Sequence, residues 1–493
     1  MSLENFIPID AILETPEVFR PLLQSRNQVG QGTVHILRHA GNGFRPDNDG
    51  MHNGELNKWS LRFRGLNYHN QIRSPDGSPI GHHNINEDVA LRREIDSTLT
   101  HLATENKAYV ITPFVDEDSA ALATSYNASL VGTENILAVE AGAFGKGNRE
   151  PAIQKVLATG VEVVSQPSLL EKLPWRQIRE VFGIIPRIDT SSETYEQKYE
   201  TEMNTVPNGS KGETMFSGIL TFFVRDKIAR INQVMGYEYN PKHLIPDDAW
   251  IIFHDTDITN VEEYGATEYL AIPMLNPSFG QHERSIQIAR HGAGRNNDTM
   301  METASKISDP DNIDNLKIQM LGRTLESLSW HLSGERALRW SEIKNMVWCN
   351  GMGIETLLNM VMAGRDITVG TRGVAQVANP NPKIEIAISD PKREKGMIYS
   401  LARWMFKVAK FCDLRNKLPN EFDENDIYDY NTELGGKSFT ITVPDEYSDS
   451  GLHDQMVDVE KRNEYLFPSL NTLYEMGFID LALFVDEKQM ALV

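Results

Sequence analysis

The segment AWIIFHDTD, residues 249–257, places an apolar run directly before two carboxylates that stand two positions apart. The run from Ala249 to Phe253 predicts a buried β-strand. In parallel α/β sheets, ligands bind outside the carboxyl ends of the strands, which is where Asp255 and Asp257 would then lie. Such carboxylates can hold a hard divalent cation together with phosphate oxygens. Acidic pairs after a strand are also common in plain turns, so the motif alone does not decide between the two.

Short apolar runs recur along the chain and alternate with stretches of helical pattern. Further strands are predicted at residues 108–112, 136–140, 161–164, 283–288 and 367–377. Helices are predicted at residues 119–130, 211–234, 316–332 and 353–363. This alternation predicts an α/β domain that is built on a mainly parallel sheet.

The two ends of the chain differ in composition from this middle part. Residues 1–104 are dense in His, Asn, Gly and Arg, which predicts long loops, and their histidine spacings match no zinc pattern. Towards the C-terminus, helices are predicted at 395–418, 460–475 and 478–485, with an acidic loop at 419–450. The predicted organisation is a loop-rich N-terminal extension (1–104), a central domain (105–390) and a helical C-terminal extension (391–493).

Composition and charge narrow the classes of function. Of the 493 residues, 40% are hydrophobic and 24% charged, the balance of a globular protein rather than a disordered or fibrous one. The net charge of −21 repels phosphate backbones and anionic lipids, so neither nucleic acid nor membranes are expected as partners. The chain has two cysteines, no N-terminal secretion signal and no run of 18 apolar residues, so a cytoplasmic protein is expected.

A second candidate site is a small-residue turn that opens a helix, NGSKG at residues 208–212. The small residues let a ligand approach the backbone, the helix N-terminus favours anions, and Lys211 adds a positive charge. This arrangement suits a diphosphate, although it lacks the GxxxxGK[ST] spacing of a P-loop. The segment GKG at residues 145–147 is similar but follows no apolar strand. Taken alone, each segment is more often a plain turn.

A third candidate site is RHGAGRNND, residues 290–298, which follows the predicted strand at 283–288. Its arginines can grip a small carboxylate or phosphate through two parallel hydrogen bonds. A glycine-rich turn with surface arginines explains the segment equally well. A rival interpretation takes Arg-His-Gly as a phosphohistidine site at His291, and LRHA at residues 37–40 repeats that shape at His39.

A fourth candidate site consists of two glutamates that follow small residues. Glu335 ends the segment SGE at 333–335, and Glu355 lies in GMGIET at 351–356. Either carboxylate could bind a sugar or act in acid–base chemistry. The default explanation for a glutamate at a helix start is stabilisation by the helix dipole.

Six motifs follow one another in an order that resembles a known family. They are ITPF at 111–114 with Glu117, SKG at 210–212, DTDI at 255–258, RH at 290–291 with Arg295 and Asp298, SGE at 333–335 and GIET at 353–356. With these motifs the chain resembles the retaining GT-A glycosyltransferases that include mannosylglycerate synthase and glucosyl-3-phosphoglycerate synthase. The resemblance spans residues 105–390 and implies a Rossmann-like GT-A fold with a mainly parallel sheet. Both extensions lie outside it.

The resemblance also implies a role for each matching residue. The donor and its base would be bound by Pro113, Phe114, Glu117, Lys211, Asp255, Gly334 and Glu335. The acceptor would be bound by Arg290, Arg295, Asn296, Asn297 and Asp298. Catalysis would depend on Glu355, Asp255 and Lys211, and metal binding on Asp257.

The sequence departs from the family at the metal site. The family supplies a metal-binding histidine on a loop after the last of these acids, whereas residues 376–381 contain none. Asn379 is the substitute expected here, because an amide oxygen can ligate Mg²⁺ or Mn²⁺, although more weakly than imidazole binds Mn²⁺. A second departure is Ser210, where the family usually has glycine.

The activity that the resemblance implies is metal-dependent hexose transfer with retention at the anomeric carbon. The donor would be a UDP- or GDP-linked glucose or mannose, and the acceptor a small hydroxy acid such as glycerate or phosphoglycerate. The base, the sugar, the acceptor and the oligomeric state, a homodimer included, stay open. Two alternatives also stay open: a phosphohydrolase of the histidine-phosphatase type that uses His39 or His291, and a decayed transferase that binds a nucleotide sugar without turnover.

Overall fold

The computed structural model describes the chain in sections. The described residues are 89–115, 117, 119–142, 150–184, 194–207, 211–259, 261, 267, 270, 285–289, 298–326, 328, 331, 334–369, 374–378, 394–434 and 465–485.

The strands form one large sheet and one two-stranded ribbon. They are β1 (Ala108–Phe114), β2 (Ile136–Glu140), β3 (Glu162–Ser165), β4 (Trp250–Phe253), β5 (Ser285–Ala289), β6 (Arg336–Arg339), β7 (Trp348–Cys349), β8 (Val374–Ala378) and β9 (Leu466–Phe467). The seven-stranded sheet has the order β3-β2-β1-β4-β6-β5-β8, and β7 pairs with β9. Only β6 runs antiparallel to its neighbours among the described pairs of the large sheet. The predicted α/β fold with a mainly parallel sheet is therefore confirmed.

Helices connect and cover these strands. They are α1 (Val89–Thr104), α2 (Ala120–Val131), α3 (Glu150–Leu157), α4 (Gln166–Leu170), α5 (Trp175–Val181), α6 (Tyr195–Asn204), α7 (Lys211–Met235), α8 (Asp298–Ser308), α9 (Leu316–Glu326), α10 (Trp340–Ile343), α11 (Ile354–Val369), α12 (Glu394–Arg415), α13 (Glu424–Asp429) and α14 (Leu470–Glu475). No helix in the described part of the chain combines the length and the apolar character that crossing a membrane requires.

The sheet is buried on both faces, as the apolar β1 sequence requires. Tyr109 and Ile111 belong to the hydrophobic core that contains α7. Their neighbours Ala108 and Val110 belong to the core on the opposite face, with residues of α1 and α2. Because successive side chains of a strand point to opposite faces, one seven-residue strand anchors both helix layers.

The chain reverses its direction of travel across the sheet at β1. It runs outward from β1 to β2 and β3, then crosses back through α7 and adds β4 on the other side of β1. In open α/β sheets this reversal opens a crevice between the carboxyl ends of the two flanking strands. The crevice lies where β1 ends at Phe114 and β4 ends at Phe253.

Three stretches near the end of the chain differ from the predictions. Residues 466–467, predicted to be helical, form β9, because they pair antiparallel with β7 and are buried there. The predicted strand at 367–377 starts late: α11 continues to Val369, and β8 begins at Val374. Residues 424–434, predicted as loop, are helical: the Asp423 side chain accepts hydrogen bonds from the first turn of α13, and the turn Tyr430–Leu434 follows directly.

The chain ends pack onto the central sheet wherever they are described. Helix α1 contacts α2 and β1, and Leu99 and Ala103 lie in their shared core. Buried residues of α12 and of 465–479 belong to the core that contains α7. Residues 89–104 belong to the segment that is predicted to be loop-rich, but they form α1, because Leu99 and Ala103 are buried against the sheet. The division at 104/105 and 390/391 stays a prediction.

Candidate functional site

The crevice between β1 and β4 collects residues from five distant parts of the sequence. Pro113 and Phe114 end β1, and Asp255 and Asp257 follow β4. Strand β6 is antiparallel to β4, and its first residue, Arg336, lies opposite Phe253, the last residue of β4. The segment that precedes β6 therefore lies at the same edge of the sheet. That segment contains Gly334 and Glu335, and the starts of α7 and α11 complete the site.

A buried ion-pair cluster forms the centre of the site. The Nζ atom of Lys211 lies 2.8 Å from Oδ2 of Asp255 and 2.6 Å from Oε1 of Glu355. The side chains of Lys211, Asp255 and Glu355 are only 13%, 11% and 3% exposed. Charge-assisted hydrogen bonds of this length are strong, and burial limits screening by water. One ammonium group thus links the end of β4 to the start of α11.

The start of two helices at one place adds positive potential. Lys211 is the first residue of α7, and Glu355 is the second residue of α11. The partial positive charge at each helix N-terminus stabilises carboxylates and other anions nearby. Both helix starts therefore favour an anionic ligand in the crevice.

Gly334 lies against the Asp255 carboxylate. A Cβ atom added at Gly334 would overlap both carboxylate oxygens of Asp255, so a side chain at 334 would displace that carboxylate. Glu335 beside it is fully buried. Arg336 follows and donates to Oδ1 of Asn359 at 2.9 Å, while Asn359 donates to the His331 carbonyl at 2.7 Å. These contacts hold the segment before β6 in place.

The loop after β1 is tied to the loop after β4. The Thr256 hydroxyl donates to the Pro113 carbonyl at 2.7 Å, and the Ser119 hydroxyl donates to the Thr256 carbonyl at 2.5 Å. Glu117 accepts a hydrogen bond from the Val115 amide at 2.6 Å through Oε2. Glu117 therefore shapes its own loop in this structure.

Carboxylates are numerous in this part of the site. Lys211 binds Asp255 and Glu355, while Asp257 follows β4 and Glu335 precedes β6 at the same edge, with Arg336 next to it. A diphosphate would be repelled unless a divalent cation accompanied it. No group of three or more acidic, His or Cys side chains among the described residues could hold a metal by itself. Two aspartates combined with ligand phosphates nevertheless match the oxygen donors that Mg²⁺ uses.

Nine predicted site residues come together at this edge of the sheet. They are Pro113, Phe114, Glu117, Lys211, Asp255, Asp257, Gly334, Glu335 and Glu355. The predicted acceptor residues Arg290, Arg295, Asn296 and Asn297 and the predicted metal ligand Asn379 lie outside the described residues, as do His39 and His291. Asp298 begins α8, but its side chain is not described.

Sequence reasoning missed a second contact between the two helix starts. Glu213 in the first turn of α7 accepts a hydrogen bond from the Gly351 amide at 3.0 Å. The two residues are 138 positions apart in the sequence. Glutamate is common in the first turn of helices, because the helix dipole stabilises its negative charge there. No local signal distinguishes this glutamate from any other.

Comparisons with known proteins give a distant structural similarity. No protein-family model matches the chain, and no curated protein does. Glucosyl-3-phosphoglycerate synthase of Mycobacterium tuberculosis in complex with Mg²⁺ and UDP is 14% identical, with a TM-score of 0.38, over 63% of this chain and 81% of that chain.

Two further solved structures are similar to this chain at about the same level. The same synthase with Mn²⁺, UDP-glucose and phosphoglyceric acid is 15% identical, with a TM-score of 0.38, over 63% of this chain and 81% of that one. A structure described as a mycobacterial protein is 15% identical, with a TM-score of 0.37, over 63% and 76%. Similarity at this level carries no argument about what this chain does.

Proposed function

We propose that this chain is a GT-A glycosyltransferase that moves a hexose from a nucleoside diphosphate sugar to a small hydroxy acid, with retention and with Mg²⁺ or Mn²⁺. The observation that carries the proposal is the Lys211 ammonium, which lies between Asp255 and Glu355 at the carboxyl ends of β1 and β4. Two helix starts, one lysine and an aspartate pair are the groups that a metal–diphosphate complex requires there. The division into 1–104, 105–390 and 391–493 belongs to the same proposal.

The donor half of the proposal uses the described residues. Pro113, Phe114 and Glu117 would line the pocket of the base, because the first two end β1 and Glu117 lies in the loop that leaves it. Gly334 and Glu335 would contact the donor sugar from the segment before β6. To contact the diphosphate, Lys211 must give up part of its bonding to Asp255 or Glu355.

The metal would be held by Asp257 together with Asn379. A bound Mg²⁺ or Mn²⁺ would neutralise the negative charge that develops on the leaving diphosphate. Lys211 adds a second positive charge on the same side, and its short contacts to two carboxylates hold it in place.

The acceptor half of the proposal uses Arg290, Arg295, Asn296, Asn297 and Asp298. They would hold the carboxylate or phosphate of the acceptor and so orient its hydroxyl at the anomeric carbon. The bond between that carbon and the diphosphate oxygen breaks, the bond to the acceptor oxygen forms on the same face, and the hydroxyl proton passes to the departing phosphate. Glu355 would lie beneath the reacting sugar, with its charge balanced by Lys211.

The proposal is tested first by ligand-dependent thermal unfolding. UDP, GDP, UDP-glucose and GDP-mannose are each added with and without Mn²⁺. A ligand at 100 times its dissociation constant stabilises the folded state by about 2.7 kcal/mol. We expect a rise in melting temperature that needs both one nucleotide and the metal, followed by sugar transfer to glycerate or phosphoglycerate in a product assay.

Two variants locate the site. Asp257→Ala should abolish the metal-dependent rise and the transfer. Asp247→Ala is the matched control, because Asp247 precedes the same strand, is exposed and pairs with Lys344. No rise with any nucleotide at millimolar concentration would overturn the donor site, and an unchanged rise in Asp257→Ala would overturn the metal assignment. Binding without transfer to any small hydroxy acid would overturn the activity and leave a binding protein.

A further inference from the structure

The starts of α7 and α11 meet at two places, of which the Lys211–Glu355 ion pair is one. The second is Glu213, whose Oε2 atom accepts the Gly351 amide hydrogen at 3.0 Å. Glu213 is only 4% exposed, whereas Gly351 is half-buried. Gly351 begins the short turn Gly351–Gly353, and α11 starts directly after it. Glu213 thus binds the backbone of the turn that leads directly into α11, the helix that carries Glu355.

The backbone around Gly212 is fitted to the same turn. A Cβ atom added at Gly212 would overlap the Cys349 carbonyl and would lie 2.8 Å from the Gly351 carbonyl. The indole nitrogen of Trp348 donates to the Gly212 carbonyl at 2.9 Å. Residues 348–351 therefore lie directly against residues 212–213.

The turn is also held from its other side by the C-terminal part of the chain. The Tyr465 amide donates to Oδ1 of Asn350 at 2.9 Å. Strand β7, which ends just before Asn350, pairs with β9. Burial raises the pKa of the Tyr465 phenol, and the nearby Glu213 carboxylate contributes to the rise. Glu213 therefore lies at the junction of α7, the turn before α11 and the C-terminal strand.

The two contacts between the helix starts do different things. An ammonium group is a point charge that can rotate about its carboxylate partners, so the ion pair fixes a distance but little orientation. A hydrogen bond from a backbone amide is directional and belongs to a rigid turn. With both contacts made, the two helix starts have a fixed separation and a fixed rotation.

We propose that Glu213 is a positioning residue that aligns the Lys211 and Glu355 side chains by binding the Gly351 amide. The effect of this alignment on catalysis rests on the proposed function. The alignment itself is a property of the folded chain and does not depend on the activity. The competing explanation is that Glu213 stabilises α7 through the helix dipole, like any acidic residue in a first turn.

Two conservative variants separate these explanations. Glu213→Gln keeps a side-chain oxygen at the reach of the Gly351 amide and removes the charge. Glu213→Asp keeps the charge near the helix start and withdraws the oxygens by one methylene group. Alignment predicts that Gln preserves function and Asp impairs it, while dipole stabilisation predicts the reverse. Asp226→Ala is the control, since Asp226 is a buried acid of the same helix that accepts the Ile245 amide at 2.9 Å away from the site.

The first measurement needs no enzymatic activity. A double-mutant cycle of Lys211→Met and Glu355→Gln, followed by denaturant unfolding, gives the coupling between those side chains. The cycle is repeated in the Glu213→Asp, Glu213→Gln and Asp226→Ala backgrounds. We expect the coupling to fall at least twofold in the Asp background and to persist in the other two. Unchanged coupling in Glu213→Asp, or an equal loss in Asp226→Ala, would overturn the proposal.

The second measurement follows turnover in the same three single variants. Misplacement of a catalytic group by about 1 Å lowers rates by up to about 100-fold, so kcat should fall about 10- to 100-fold in Glu213→Asp. The KM for the donor should change less, and Glu213→Gln should restore most of kcat. Equal kcat values in the Asp and Gln variants would overturn the positioning role. If the parent chain shows no transfer while the coupling behaves as expected, the proposed function fails and the alignment by Glu213 stands.

Discussion

The two ends of helix α7 lie in different surroundings, one enclosed by the protein and the other open to solvent. From Gly212 to Val224 every residue is buried, including the polar side chains of Glu213, Thr214, Ser217 and Thr221. At the other end, Ile231, Val234 and Met235 are large apolar side chains that are exposed. One continuous helix therefore has an end that is enclosed at the carboxyl edge of the sheet and an end that faces solvent.

The buried polar groups explain why the first end is constrained. Thr214 donates to Oε1 of Gln166 at 2.8 Å, Glu213 accepts the Gly351 amide, and Lys211 is bound to two carboxylates. A buried polar group that loses its partner costs roughly 1–3 kcal/mol, whereas a surface substitution usually changes stability by less than about 0.5 kcal/mol. The contrast implies that one and the same substitution should have unequal effects at the two ends.

The largest difference is expected for Gly212→Ala. The new methyl group would meet the backbone atoms of Cys349, Asn350 and Gly351, which cannot move as a side chain can. Overpacking of this kind costs about 1–3 kcal/mol, against a gain of less than about 1 kcal/mol from better helix propensity. We expect a loss of about 2 kcal/mol in the free energy of unfolding, measured by urea denaturation, and loss of the nucleotide-dependent rise in melting temperature. Replacing an ordinary glycine inside a helix by alanine stabilises the protein. If Gly212→Ala did the same, the close approach of residues 349–351 to Gly212 would be refuted.

The same contrast shows how far the sequence alone can lead. The apolar run before Asp255, the helical pattern after Lys211 and the small residues before Glu355 are local signals, and they predicted the elements that carry these residues. The rule for parallel sheets then predicted that Asp255 and Asp257 would lie outside the carboxyl end of their strand, where ligands bind. The structure brings nine of the predicted residues to that edge.

Contacts between distant segments had no such signal. The fit of Gly212 against residues 349–351, the Glu213–Gly351 hydrogen bond and the β7–β9 pair each join segments more than a hundred positions apart. Periodicity reports which face of an element is buried, but not which segment covers it. The roles of all the predicted site residues stay predictions; Arg290, Arg295, Asn296, Asn297 and Asn379 lie outside the described residues, and the side chain of Asp298 is not described.

A moderate effect is expected for the same substitution just beyond the exposed end. Gly236 follows α7 with φ of +75°, and a Cβ atom added there would meet nothing within 4 Å. Its replacement by Ala therefore adds only the penalty of the left-handed conformation, about 1 kcal/mol. We expect that loss in urea denaturation with an unchanged nucleotide-dependent rise. Gly236→Asn should lose less, because Asn tolerates this conformation better than Ala, and equal losses would point to a steric cause instead.

The smallest effect is expected at the exposed end itself. Val234 is 84% exposed, so Val234→Lys removes little buried surface, and lysine has the better helix propensity. The free energy of unfolding should stay within about 0.5 kcal/mol of the parent value, with unchanged nucleotide binding. Phe216→Lys, a buried position near the opposite end of the same helix, gives the matched comparison and should unfold the protein or abolish binding. A loss above about 1 kcal/mol in Val234→Lys would show that this surface is covered in solution, and the contrast between the two ends would then no longer hold.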